Sequence, residues 1–161
     1  MEVDSNNFYG WAMSQPMPYG AFEWLSDAEF GEMKQRLINL VERKQIFDKN
    51  QSYIFEVNID YPQELHKRDE DYPMTPKLMT IETEIIKEKQ HKLRAQYFGS
   101  ACPFNRKLAC SFLPTKHYVV FGQLLAFYFD RGIKLVNVHR EIRFCSSPYV
   151  AGNIADNKAK R

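Results

Sequence analysis

The stretch Asp4-Ser5-Asn6-Asn7-Phe8-Tyr9-Gly10 sets a carboxylate ahead of small polar residues and an aromatic side chain. At the end of a strand, such a carboxylate can ligate Mg²⁺. The exposed backbone N–H groups of the turn that follows can then face phosphate oxygens. Tyr9 is spaced to pack against a sugar. From spacing alone, the competing reading is that Asp4 is a turn residue or a helix N-cap.

Other residue groups carry less chemistry. Glu56 and Asp60 share one side of an alternating stretch, but two strand repeats put them roughly 13 Å apart, too far for one ion. They read as a solvated strand face. His66, His91, His117 and His139 accompany Cys102, Cys110 and Cys145 without the paired spacing of a zinc site. His139 reads as a packed or paired strand residue. Arg94, Arg106, Lys107, Lys116, Arg131, Lys134, Arg140 and Arg143 lie among Tyr97, Phe98, Phe104, Tyr118 and Phe144. Basic side chains hold phosphates and aromatic faces hold bases, so this half is a candidate DNA surface. Arg140 and Arg143 are its chosen contacts. Strict alternation would put them on opposite faces, so at most one would point at a given ligand.

The 161 residues carry a net charge of only +2. Residues 1–90 hold 17 acidic against 10 basic side chains, a net of −7, and residues 91–161 hold 3 against 12, a net of +9. This asymmetry is a reason to look for nucleic acid at the basic end. At 44% hydrophobic and 26% charged, the chain is globular rather than disordered. It has no apolar run of the roughly 20 residues that span a bilayer, so no membrane partner is expected. The odd cysteine count argues against a disulfide framework. The start lacks the pattern of a secretory signal, so an intracellular location is expected, nucleus or mitochondrion included.

The elements that must position these residues follow from periodicity. A strand end, a tight turn and a short helix are read over 1–13, and Pro16, Pro18 and Gly20 read as a rigid turn. Ser26 and Glu29 form a capping box opening a helix to about Gln45, with Phe30, Met33, Leu37, Leu40 and Val41 on one face. Residues 52–61 alternate as a half-buried strand, with Tyr53, Phe55, Val57, Ile59 and Tyr61 inward. Residues 62–80 read as a solvated loop, and 80–89 is open between helix and loop. A strand is read over 108–113. A mostly buried helix is read over 118–130, with Gly132 as its C-terminal cap. An alternating strand follows over 133–145, and another helix begins after Pro148.

Asp4 to Met13, D-S-N-N-F-Y-G-W-A-M, resembles the first palm motif of type-B DNA polymerases. The similar branch is the organellar, viral and large-transposon group, which includes the protein-primed enzymes. Asn7 stands for the family's small polar residue, Phe8 for its Leu and Gly10 for its Pro. The likeness continues in order through Gln15-Pro16-Met17-Pro18-Tyr19-Gly20, Phe22-Glu23-Trp24, Glu56 to Pro62, Glu64-Leu65-His66 and Asp71-Tyr72-Pro73. It returns in Lys107-Leu108, Tyr118-Val119-Val120, Gly132-Ile133-Lys134-Leu135 and His139-Arg140. Most of the chain is covered.

The resemblance implies that Asp4 is a catalytic carboxylate and Mg²⁺ ligand. It implies that Asn6, Asn7 and Phe8 face the triphosphate of a dNTP, and that Tyr9 packs under the sugar and excludes a 2′-hydroxyl. The partners it implies are a DNA template-primer, a dNTP, the rest of a polymerase chain and, where priming is by protein, a terminal protein. The expected fold is α+β: a palm start over 1–20, an insertion-like mixed subdomain over 21–147, and over 148–161 the start of a segment leading to the fingers. The family's Asn-Ser-x-Tyr-Gly and Asp-Thr-Asp motifs do not occur, and Asn157 stands where many relatives have Arg. The chain is therefore expected to be a polymerase piece that does not extend a primer by itself. The alternative is a non-catalytic DNA- or terminal-protein-binding remnant of a mobile element.

Overall fold

The computed structural model describes residues 8–39, 51–80, 88–99 and 106–160. It is a mixed α+β protein in two compact units, one formed by Met1–Ile59 with Lys116–Arg161 and the other by Asp60–Thr115.

The first unit is built on a four-stranded sheet. Its strands are β1 (Met17–Trp24), β2 (Gln51–Asp60), β5 (Thr115–Phe121) and β6 (Lys134–Ser147), in the order β1-β6-β2-β5. In β2 the expected alternation is realised, with Tyr53, Phe55, Val57 and Ile59 all buried. α1 (Phe8–Met13) is the short helix expected within the first motif and meets α6 (Ala151–Ala159), which begins soon after Pro148; the strand end and turn expected before it lie outside the described residues. Residues 17–24, however, form a strand rather than the turn expected from Pro16, Pro18 and Gly20. β1 pairs antiparallel with β6 from Met17↔Ser147 to Trp24↔Ile142. The register shifts twice, and Ala21 has a φ of 52°; bulges on an edge strand accommodate the glycine and proline that a regular inner strand would reject.

α2 (Asp27–Ile38) opens on the predicted capping box. The Glu29 carboxylate accepts the Ser26 N–H at 3.1 Å and its hydroxyl at 2.7 Å. Met33 and Leu37 are its buried residues, and the helix packs against β6. The helix is shorter than the expected run to about Gln45: it ends at Ile38, with Asn39 extended (φ −73°, ψ 110°), and Leu40 and Val41 lie outside the described residues.

The apolar run over 118–130 is not one helix. Its β-branched and aromatic start completes β5, and only α5 (Gly122–Asp130) is helical. Apolar runs do not separate a buried strand from a buried helix, so the periodicity was misleading here. The cap is as expected. Gly132 has a φ of 94°, its N–H donates to Phe129 O at 3.0 Å, and the Ile133 N–H donates to Tyr128 O at 3.0 Å. Ile133 and Tyr128 are both buried. Gly132→Ala is expected to cost about 1–2 kcal/mol, because an L side chain is strained at this φ. Urea unfolding checks this through the midpoint.

In the second unit, the stretch expected to be a solvated loop carries α3 (Gln63–His66) and β3 (Lys77–Thr80). α4 (Glu88–Phe98) follows, and β4 (Arg106–Ala109) pairs antiparallel with β3. The polar run is organised around Tyr61. Its hydroxyl donates to Asp69, whose carboxylate also receives the Arg68 guanidinium at 2.6 and 2.7 Å. His66 donates to the Tyr61 carbonyl and stacks on Phe112 at 4.3 Å. Burial first, and the acceptor Asp69 second, push the Tyr61 phenol up to about 12. Partners far from the run in sequence fix it, and composition alone does not reveal them. Among the described residues no helix is long and apolar enough to cross a membrane.

Candidate functional site

Asp4, Asn6 and Asn7 lie outside the described residues. Phe8 and Tyr9 lie on α1. The Phe8 ring stacks on Trp11 at 5.9 Å, one helical turn on, and the Tyr9 side chain is 84% exposed. The Ser14 hydroxyl donates to Gly10 O at 2.7 Å and its N–H donates to the same oxygen, so the helix is closed at its C-terminal end.

Arg143 and Arg140 have different surroundings. The Arg143 guanidinium donates to Glu29 at 3.0 Å and to Glu23 at 2.9 Å, bridging α2 and β1 to β6. Hydrogen bonds from Ser26, then from Arg143, hold the Glu29 carboxyl below its ordinary range. Arg140 Nε donates to Glu56 Oε2 at 2.6 Å on the face of β2 that carries the even-numbered residues. His139 Nε2 meets Asn58 Oδ1 at 2.8 Å on that same face. Two consecutive β6 residues thus reach one side of β2, and the alternation slips by one residue there. After the slip, Ser146 pairs with Ser52 and Phe144 lies between Phe22 and Phe121. Strict alternation over 133–145 would group His139 with Glu141 and Arg143; the structure separates His139 from them.

The slip assembles a polar cluster on three neighbouring strands. Glu56 Oε1 accepts His117 Nδ1–H at 2.6 Å, and Asn58 Oδ1 accepts the His117 backbone N–H at 2.9 Å. The His117 and His139 rings stack at 4.2 Å, with 25° between their planes. His117 has a φ of 52°, a left-handed conformation in which a residue other than glycine is strained. Hydrogen bonds from Arg140, then from His117, hold the Glu56 carboxyl below its usual range. Glu56 is therefore not part of a merely solvated strand face. His139 is paired, as its place in the sequence predicts. The single signal that could have found the cluster was the polar side of β2, Glu56 and Asn58; the partners on β5 and β6 follow only from strand order.

Glu141 is 3% exposed, and among the described residues neither of its carboxylate oxygens has a hydrogen-bond donor. Burial first, and the negative charge of Glu29 second, push its carboxyl up to about 8. Tyr53 senses the same group, and its phenol is raised mainly by burial.

Among the described residues, no three His, Cys, Asp or Glu side chains form a group that could hold a metal ion. Cys110 and Cys145 are free thiols. No protein-family model, curated protein or solved structure matches the chain.

Proposed function

We propose that this chain is the part of a type-B DNA polymerase that carries the first palm motif and the segment after it. The ordered series from Asp4 to Arg140 carries the reading, beginning with D-S-N-N-F-Y-G-W-A-M. In the complete enzyme the reaction is attack of a primer 3′-hydroxyl on the α-phosphate of a dNTP. Asp4 is a hard oxygen donor suited to Mg²⁺, which when bound supplies charge neutralisation at the triphosphate. The backbone at Asn6, Asn7 and Phe8 binds the phosphates, and Tyr9 packs beneath the sugar. Arg140 is the DNA contact favoured of the two arginines, because Arg143 is held between Glu23 and Glu29.

One local feature supports the assignment. The Tyr9 side chain is exposed and open to a sugar face. One carboxylate cannot hold a two-ion site, so the isolated chain extends no primer. The reading is tested at Tyr9 by titrating the ¹⁵N-labelled chain with Mg²⁺·dATP and with Mg²⁺·ATP. The wild type is expected to prefer dATP by about tenfold, a difference of about 1.4 kcal/mol, and Tyr9→Ala is expected to remove the preference. Equal binding of both nucleotides by the wild type contradicts the assigned role of Tyr9.

A further inference from the structure

We propose that His117, His139 and Arg140 form a phosphate-binding site on the sheet, with Glu56 and Asn58 as its positioning residues. Hydrogen-bond roles in the cluster fix the atoms that remain available. The His117 backbone N–H can only donate, so the Asn58 atom that receives it is the amide oxygen. The same oxygen contacts His139 Nε2, which must therefore carry a proton, leaving Nδ1 as the second ring position of His139. The Glu56 carboxylate can only accept, so His117 Nδ1 is protonated and Nε2 is left available.

Arg140 follows the same logic. Its Nε is committed to Glu56, and its two terminal nitrogens have no acceptor among the described residues. The side chains of Arg140 and His117 are 67% and 63% exposed, whereas that of Glu56 is only 13% exposed. The carboxylate is thus largely covered by the two groups it holds, and the outward atoms are nitrogen. A guanidinium edge beside two imidazole nitrogens that can meet a phosphate oxygen or hydroxyl is suited to a tetrahedral phosphate. The left-handed backbone at His117 is maintained by Asn58, an energetic cost that makes sense where ring placement matters.

The test follows the His and Arg side-chain resonances of the labelled chain, without Mg²⁺, during titration with inorganic phosphate. Saturable shifts at His117, His139 and Arg140 are expected. Arg140→Gln and His117→Gln should each weaken binding by at least about fivefold, and Arg140→Lys should keep part of it. A short oligothymidylate without terminal phosphates forms the second arm. If it saturates the same resonances, the ligand is a DNA backbone phosphate, which rests on the polymerase reading; if only inorganic phosphate does, the site takes a free phosphate group. Shifts that do not saturate, or affinity unchanged in folded Arg140→Gln and His117→Gln, overturn the site. That result leaves the Asp4–Tyr9 assignment untouched, because the nucleotide is read there through Mg²⁺ at different residues.

Discussion

Glu141→Gln is expected to stabilise the chain by up to about 3 kcal/mol near pH 7 and to change little near about pH 4. The wild-type carboxyl is buried without a hydrogen-bond donor, and its folded pKa is pushed up to about 8 from an ordinary 4.5. Between those two values the unfolded chain releases the proton while the folded chain retains it. The folded state then binds more protons than the unfolded state, so stability falls as pH rises through this window. Below the ordinary value both states are protonated and the penalty vanishes; above about 8 the folded group ionises too and the penalty stops growing. Glutamine keeps the shape and stays neutral, so it removes the slope.

Burial sets the direction and the charge of Glu29 adds to it, while the Tyr53 phenol nearby is itself raised mainly by burial. Arg143 lies nearby but is committed to Glu23 and Glu29. Urea unfolding of both proteins from about pH 4 to about pH 8 checks the prediction. Parallel stability curves for the two proteins would show that Glu141 is ionised or solvated in the folded chain.

Much of the sheet unit was legible because local signals agreed. The capping box at Ser26 and Glu29, the alternation of β2 and the glycine cap after α5 each combine residue type with spacing. The errors have one common cause. Where an apolar or polar run had two local solutions, a distant partner decided between them. β5 became a strand beside β2, and the polar run after Pro62 was fixed by Tyr61 and Phe112. The register slip at His139–Arg140 is the sharpest case. Sequence alternation put Arg140 and Arg143 on opposite faces, and they do reach different partners, yet it misplaced His139 relative to Glu141. A one-residue slip inverts every later side chain, and nothing local marks it.

The candidate sites divide in the same way. The Asp4–Tyr9 motif is contiguous, so a single chain pass finds it. The Glu56, Asn58, His117, His139 and Arg140 cluster draws on three strands separated by many residues, and strand order brings it together. By sequence Glu141 is one position in an alternating strand, and nothing local discloses that it is buried without a hydrogen-bond donor among the described residues.

The second large effect belongs to the motif. Asp4→Asn keeps the size of the side chain and removes the charge that would hold Mg²⁺. Its neutral amide remains a possible turn or N-cap residue, so folding is expected to be preserved. The decisive measurement is therefore the Mg²⁺ dependence of dATP binding, read from the backbone amides of residues 4–9 in wild type and Asp4→Asn. The polymerase reading predicts saturable, Mg²⁺-dependent shifts at Asn6, Asn7, Phe8 and Tyr9 in the wild type. It also predicts that Asp4→Asn weakens them by at least about tenfold while the rest of the spectrum is unchanged. Wild-type binding that is absent, or that is the same in Asp4→Asn, would contradict it.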